Sequence, residues 1–204
     1  MAKLRFYFGT MGAGKSTMAL QIHHNLCQAQ RGMLLTQHDR EGAAVSSALG
    51  VSAAAEVIGP HDDLWSLVDT HTTAHGELGF VICDEAQFYR SEQVDQLARV
   101  VDALGVDVYA FGLLSDFRGR LFEGTTRLLE VADERHEIQV QSRCWCGELA
   151  THNARLVNGI QVYDGDVVVV DDGTTADVTY ELRCRRHWTE GTSAPSAEPL
   201  RSVV

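Results

Sequence analysis

Residues 8–16 read FGTMGAGKS. Gly9, Gly14, Lys15 and Ser16 stand in the spacing G-x-x-x-x-G-K-S, directly after the apolar run LRFYF (4–8). The following stretch, STMALQIHHNLCQAQRG, carries apolar residues at Met18, Ala19, Ile22, Leu26 and Ala29 with a helical period and ends at Gly32. Strand, glycine-rich turn and helix in that order make a phosphate cradle. Glycines let the backbone curl so that successive N–H groups face a phosphate, and the helix N-terminus adds partial positive charge. Thr10, Met11, Gly12 and Ala13 complete the loop. Lys15 would reach the β and γ phosphates of a nucleotide, and the Ser16 hydroxyl would ligate Mg2+.

Working outward, the same alternation continues. MLLT (33–36) and EVIG (56–59) predict strands, and DDLWSLVDTHTTAHG (62–76) predicts a helix. FVICD (80–84) predicts a strand, SEQVDQLARVVDALG (91–105) a helix capped by Ser91, and VDVYAFG (106–112) another strand. TTRLLEVADE (125–134) predicts a further helix and HEIQVQ (136–141) a last strand. Residues 1–142 are therefore expected to form an α/β domain, a RecA-like P-loop parallel sheet with crossover helices. From 143 to 188 the pattern changes to short β-type runs separated by NG and DG turns, with no helical period. That segment predicts a small β-rich lobe. The Pro/Ser/Ala-rich tail, 189–204, reads as disordered.

A second chemical signal lies at VICDEAQFY (81–89), an apolar run ending in Asp84 and Glu85. An acid at the end of a neighbouring strand can reach the Mg2+ shell of a P-loop nucleotide, and Asp84 fits. Glu85 would then act on a nucleophile, either a water or the hydroxyl of a bound substrate.

Cys144, Cys146, Cys184 and His187 form C-x-C … C-x-x-H in the β-rich segment. Two pairs of thiolate and imidazole ligands suit tetrahedral Zn2+, and a lobe with little apolar core would gain from such a staple. The chain has five cysteines and no secretory apolar segment, which argues against a disulfide framework. Cys83 and Cys27 read as core or surface residues, and His23, His24, His71 and His75 as solvent-facing helix positions.

Charge and length exclude other classes. The net charge is -11 and no basic cluster exceeds CRRH (184–187), whereas a nucleic-acid groove needs concentrated Lys and Arg. No apolar run approaches the roughly 18 residues of a membrane span, and a cytoplasmic location is expected. An ATP-driven nucleic-acid motor needs a second ATPase core, for which 204 residues leave no room. A zinc-bearing nucleotide sensor without catalysis remains a rival, although Lys15, Ser16 and Glu85 together favour chemistry.

The ordered set FGTMGAGKST, VICDEAQFY, GLLSDFRGRLF, CWCGELATHNARL and VTYELRCRRH resembles the type II thymidine kinases, the family that includes the human cytosolic enzyme, over about residues 4–188. The resemblance implies transfer of the ATP γ-phosphate to the 5′-hydroxyl of thymidine, and of deoxyuridine with it, in nucleotide salvage. It makes Glu85 the base and places Ala86 and Gln87 in the nucleotide-side wall. It assigns Met11, Phe88, Leu113, Phe117 and Phe122 to an apolar pocket around the thymine ring, and Tyr180, four residues before Cys184, to substrate contact. A zinc-anchored lasso that reads the base through its backbone is implied at Val167, Val168, Val169, Val170 and Asp171. A homotetramer and feedback inhibition by thymidine triphosphate also belong to the family. This chain departs in having C-x-C where the family has C-x-x-C, Asn153 where it has a threonine, and DDG where it has Gly-Gly. These departures keep a kinase of another nucleoside, such as deoxyuridine or deoxycytidine, as an alternative. QHDREG (37–42) is only loosely similar to the family's acid-to-arginine stretch, so Asp39 and Arg40 receive no firm role.

Overall fold

The computed structural model describes residues 1–37, 43–167 and 177–192. Its elements, in chain order, begin with β1 (Leu4–Gly9), α1 (Lys15–Leu26), β2 (Gly32–Gln37), β3 (Ala44–Ser46), β4 (Ser52–Ala54) and β5 (Glu56–Ile58). There follow α2 (Leu64–His75), β6 (Phe80–Cys83), α3 (Ser91–Arg99), β7 (Asp107–Leu113), α4 (Glu123–Val131) and β8 (Glu134–Glu137). The last are β9 (His152–Val157), β10 (Ile160–Val162), β11 (Val178–Arg183) and α5 (Arg185–Glu190). These residues divide into two units. The first holds Met1–Ser115 and Leu121–Val140; the second holds Asp116–Arg120 and the described residues from Gln141 onward. The excursion 116–120 thus leaves the first unit at a bridge between Ser115 and Leu121.

The first unit is built on a six-stranded sheet of order β5-β2-β6-β7-β1-β8 in which every pairing is parallel. Successive side chains of a strand point to opposite faces, so apolar runs such as FVIC in β6 feed two cores at once. Val81 and Cys83 pack on one face with Leu64 and Val68 of α2, Val94 and Leu97 of α3 and Leu128 of α4. Phe80 and Ile82 pack on the other face with Ala19 and Leu20 of α1 and with Val45 of β3. This is the expected parallel sheet of an α/β domain. The second unit holds the three-stranded antiparallel sheet β10-β9-β11 followed by α5.

Several local expectations need correction. The last strand of the first unit is Glu134–Glu137, not 136–141, because only that segment pairs with β1. Ile138 follows it, donating its N–H to the Phe8 carbonyl at 2.7 Å. The preceding helix correspondingly starts and ends earlier, at Glu123–Val131. Ser91 does not cap α3: it is the first helical residue, and the Gln93 amide oxygen accepts the Arg90 N–H at 3.1 Å. The β3–β4 hairpin was not foreseen, because strands of three residues are too short to display an alternation. Nor was α5, whose six residues are too few to display a helical period. His23 and His71 are half-buried, the former with its ring edge-on to Phe80 at 6.0 Å.

Candidate functional site

The P-loop follows β1 directly. Gly14 adopts φ 78°, a left-handed conformation that favours glycine, and α1 starts at the next residue. Lys15 is mostly buried, and its Nζ donates to the Thr10 carbonyl at 2.7 Å, across the loop it belongs to. The ammonium is thereby held against the P-loop backbone.

The strand carrying the acids, β6, is separated from β1 by β7 alone. Asp84 follows β6 and is almost fully buried, with its N–H donating to the Leu35 carbonyl at 2.9 Å. Burial, and then the neighbouring Glu85 charge, push its carboxyl up to about 6, against the Ser16 hydrogen bond, the Glu85 N–H and the Lys15 charge. The Ser16–Asp84 contact joins the P-loop helix to the acid strand through two oxygen ligands, the hard donors Mg2+ prefers. The residues present fit that ion.

Glu85 sits at φ 55°, one of three non-glycine residues in the left-handed region among those described. A strained backbone of this kind costs of order 1–3 kcal/mol and is characteristic of functional positions. Its carboxylate accepts from the Gln87 amide at 2.5 Å, while the other end of that amide accepts the Leu113 N–H at 3.0 Å. Gln87 is 1% exposed, so this buried amide ties the Glu85 side chain to the end of β7. Thr125 of α4 donates to the Leu113 carbonyl at 2.7 Å and completes the brace. Gly124 allows α4 to press onto the turn after the acids: a Cβ there would lie 2.5 Å from the Ala86 carbonyl and 2.7 Å from that of Tyr89. Phe88 and Phe122 meet edge to face at 5.5 Å. The first unit therefore gathers Glu85, Ala86, Gln87, Phe88, Leu113 and Phe122, all singled out in the sequence, around one turn. Met11 lies in the P-loop and is half-buried.

In the second unit the ligand atoms of Cys144, Cys146, Cys184 and His187 all lie within 4.8 Å of one another. The Cys144 Sγ is 3.3 Å and the Cys184 Sγ 3.5 Å from the His187 Nδ1, and the Cys146 and Cys184 sulfurs are 3.9 Å apart. A tetrahedral zinc with bonds of about 2.0–2.3 Å separates its ligand atoms by roughly 3.3–3.8 Å. The four residues fit, and the short C-x-C spacing still brings both its cysteines to the cluster. Burial raises the Cys144 thiol, but the N–H groups of Cys146 and Cys184, then His187, outweigh it and bring it down to about 6. Trp145 stacks on the His187 ring at 4.0 Å and holds its orientation.

Asn153 and Tyr180 fall on one face of the small sheet. Arg155 pairs with Tyr180 across β9 and β11, and Asn153 is two residues before Arg155 on the same strand. Phe117, in the second unit, is buried beneath the Arg155 guanidinium, 3.7 Å from its ring centroid. Val167 supplies a carbonyl to the same guanidinium at 2.7 Å. Val168, Val169, Val170 and Asp171, with Asp39 and Arg40, lie outside the described residues. The sequence reading missed Arg155 and the bracing role of Gln87. The one available signal for Arg155 was a charged residue in the middle of a strand whose neighbours are buried.

Among α/β proteins, a P-loop facing a buried aspartate and a strained, amide-braced glutamate defines a nucleotide-dependent phosphotransferase. Comparison with known proteins narrows that class. The sequence model of the family described as thymidine kinase matches residues 2–188, and this chain belongs to that family. It is 49% identical over 191 residues to a thymidine kinase of Streptomyces coelicolor, covering 92% of this chain and 88% of the relative. It is 47% identical over 194 residues to one of Cutibacterium acnes, covering 94% and 90%. It is also 42% identical over 205 residues to one of Ruegeria pomeroyi, covering 97% and 99%. These agree with the resemblance drawn from the motifs.

Proposed function

We infer that this thymidine kinase uses Glu85 as the base that takes the proton from the nucleoside 5′-hydroxyl while that oxygen attacks the ATP γ-phosphorus. A new P–O bond forms to the 5′-oxygen, the bond from the γ-phosphorus to the β,γ-bridging oxygen breaks, and ADP leaves. Lys15 and the P-loop N–H groups stabilise charge on the phosphoryl oxygens, and Ser16 and Asp84 would hold Mg2+. That ion, when bound, neutralises charge on the β and γ phosphates. The observation that carries this reading is the Gln87 amide, 2.5 Å from Glu85 Oε2 and 3.0 Å from the Leu113 N–H, which ties a carboxylate to the end of β7, the strand next to that of the P-loop. A general base contributes typically about 10²–10⁴-fold, and only when its geometry is set.

Thymidine is the acceptor, with deoxyuridine accepted beside it; the family resemblance assigns Met11, Phe88, Leu113 and Phe122 of the first unit to substrate contact, and Phe117, Asn153 and Tyr180 of the second. Residues 143–188 make a zinc-binding lasso or lid domain with a structural zinc on Cys144, Cys146, Cys184 and His187, and residues 1–142 make the P-loop domain. The family resemblance supports a cytoplasmic homotetramer inhibited by thymidine triphosphate. Among the described residues no helix is long and apolar enough to cross a membrane.

The deciding experiment is transfer of labelled γ-phosphate from ATP to a panel of deoxynucleosides, with Glu85→Gln as control. Thymidine monophosphate should form with the wild-type protein and fall at least about 100-fold with the variant, at the low end of what a general base supplies. A wild-type protein that phosphorylates no thymidine, or a fully active variant, would overturn the reading.

A further inference from the structure

Arg155 is 3% exposed, and each of its three guanidinium nitrogens has a different partner. Nε donates to the Tyr180 hydroxyl at 2.9 Å. One terminal nitrogen donates to the Asp166 carbonyl at 2.5 Å and the other to the Val167 carbonyl at 2.7 Å. The guanidinium plane lies over the Phe117 ring, 3.7 Å from its centroid. Among the described residues no carboxylate forms an ion pair with it. A buried charge of this kind needs partners on each of its nitrogens, and a planar fork can serve a phenol, two carbonyls and an aromatic face together. The partners come from three separate places in the chain: residue 117, residues 166–167 and residue 180. Register explains how they meet: Arg155 stands opposite Tyr180 in β11 and Val162 in β10, at the centre of the small sheet.

We propose that Arg155 is a positioning residue for nucleoside binding, which sets the Tyr180 hydroxyl and the Phe117 ring in one fixed arrangement. This rests on the assignment of Phe117 and Tyr180 to the thymidine pocket. The role does not extend to the P-loop or to the metal cluster, since every contact of Arg155 described above goes to Phe117, Asp166, Val167 or Tyr180. Lysine cannot replace it, because a single ammonium has neither the fork nor the flat face.

The test is steady-state kinetics of Arg155→Lys and Arg155→Met, with zinc content and thymidine calorimetry on each. Both variants should keep one zinc per chain and an ATP KM within about twofold of wild type, while the thymidine KM rises at least about tenfold. Tyr180→Phe placed in the Arg155→Lys background should add less than it does alone, because the arginine acts through that hydroxyl. A thymidine KM unchanged in Arg155→Lys, additive effects of the two substitutions, or parallel loss of zinc and ATP affinity in both variants would each overturn the proposal. A wild-type protein that binds thymidine without phosphorylating it overturns the assigned reaction and leaves calorimetry to judge Arg155.

Discussion

At the scale of single residues, Glu85 owes its orientation to a neighbour two positions away. Its φ of 55° turns the chain sharply after β6, and Gln87 then holds the carboxylate. Replacing Gln87 with leucine would leave the part-buried Leu113 N–H without its acceptor and the Glu85 carboxylate without its Gln87 donor. An unsatisfied buried group costs about 1–3 kcal/mol, so Gln87→Leu should lower unfolding stability by that order in a denaturant titration. The same change should cut kcat more than it changes the ATP KM, since the P-loop is untouched. Equal stability and equal kcat would show that the amide is no brace. The acids themselves are legible in VICDEAQFY, as is the lysine in GAGKS, because motif spacing reports chemistry directly. Their mutual bracing is not legible, because a glutamine in a sequence carries no sign of what its amide will meet.

At the scale of elements, the edge of the large sheet shows how charge ties strands together. Glu134 of β8 receives the Lys3 ammonium at 2.5 Å and Arg5 of β1 at 3.2 Å, and Arg5 reaches Asp107 of β7 at 2.8 Å. The Lys3 hydrogen bond, then that of His136, lowers the Glu134 carboxyl to about 2 from an ordinary 4.5. A carboxyl with a depressed folded value contributes stability above its unfolded value and loses it as pH falls through the folded one. Glu134→Gln should therefore lower the Tm at neutral pH and low salt, with the difference closing as pH drops from about 4.5 to about 2. Added salt near 1 M should shrink the neutral-pH difference, since these groups are partly exposed and screened over about 3 Å. A difference that persists at pH 2 would assign the effect to packing. This edge strand, ERHE, is polar and largely exposed, which is why apolar Ile138 and Val140 drew the expected strand too far along, to 136–141.

At the scale of the whole molecule, the two units differ in how much apolar core they have. Both large apolar clusters among the described residues consist of residues of the first unit. The buried apolar residues of the second unit, among those described, are Phe117, Ala150, Ala154 and Leu156, with Cys144 and Cys184 at the cluster. With so small an apolar interior, a metal on the Cys/His cluster would be the main source of its stability. Removing zinc with a chelator should raise hydrogen exchange in β9, β10 and β11 while β1, β6 and β7 stay protected. Thymidine binding should fall with it, and nucleotide binding at the P-loop should persist. Uniform exchange across both units after chelation would refute this division.

The sequence by itself determined the phosphate cradle, the paired acids, the C-x-C … C-x-x-H ligand set and the succession of strand and helix through the first unit. Each of these is local: it is written in spacings of a few residues, which backbone geometry converts directly into a loop, a strand end or half of a metal site. Tertiary structure alone decided that β7 lies between the P-loop strand and the acid strand, so that Ser16 reaches Asp84. It also decided that α5 forms and that Arg155 gathers Phe117, Tyr180 and Val167. Those contacts join positions tens of residues apart, and no local periodicity records which distant groups a buried guanidinium or amide will find when the sheets close.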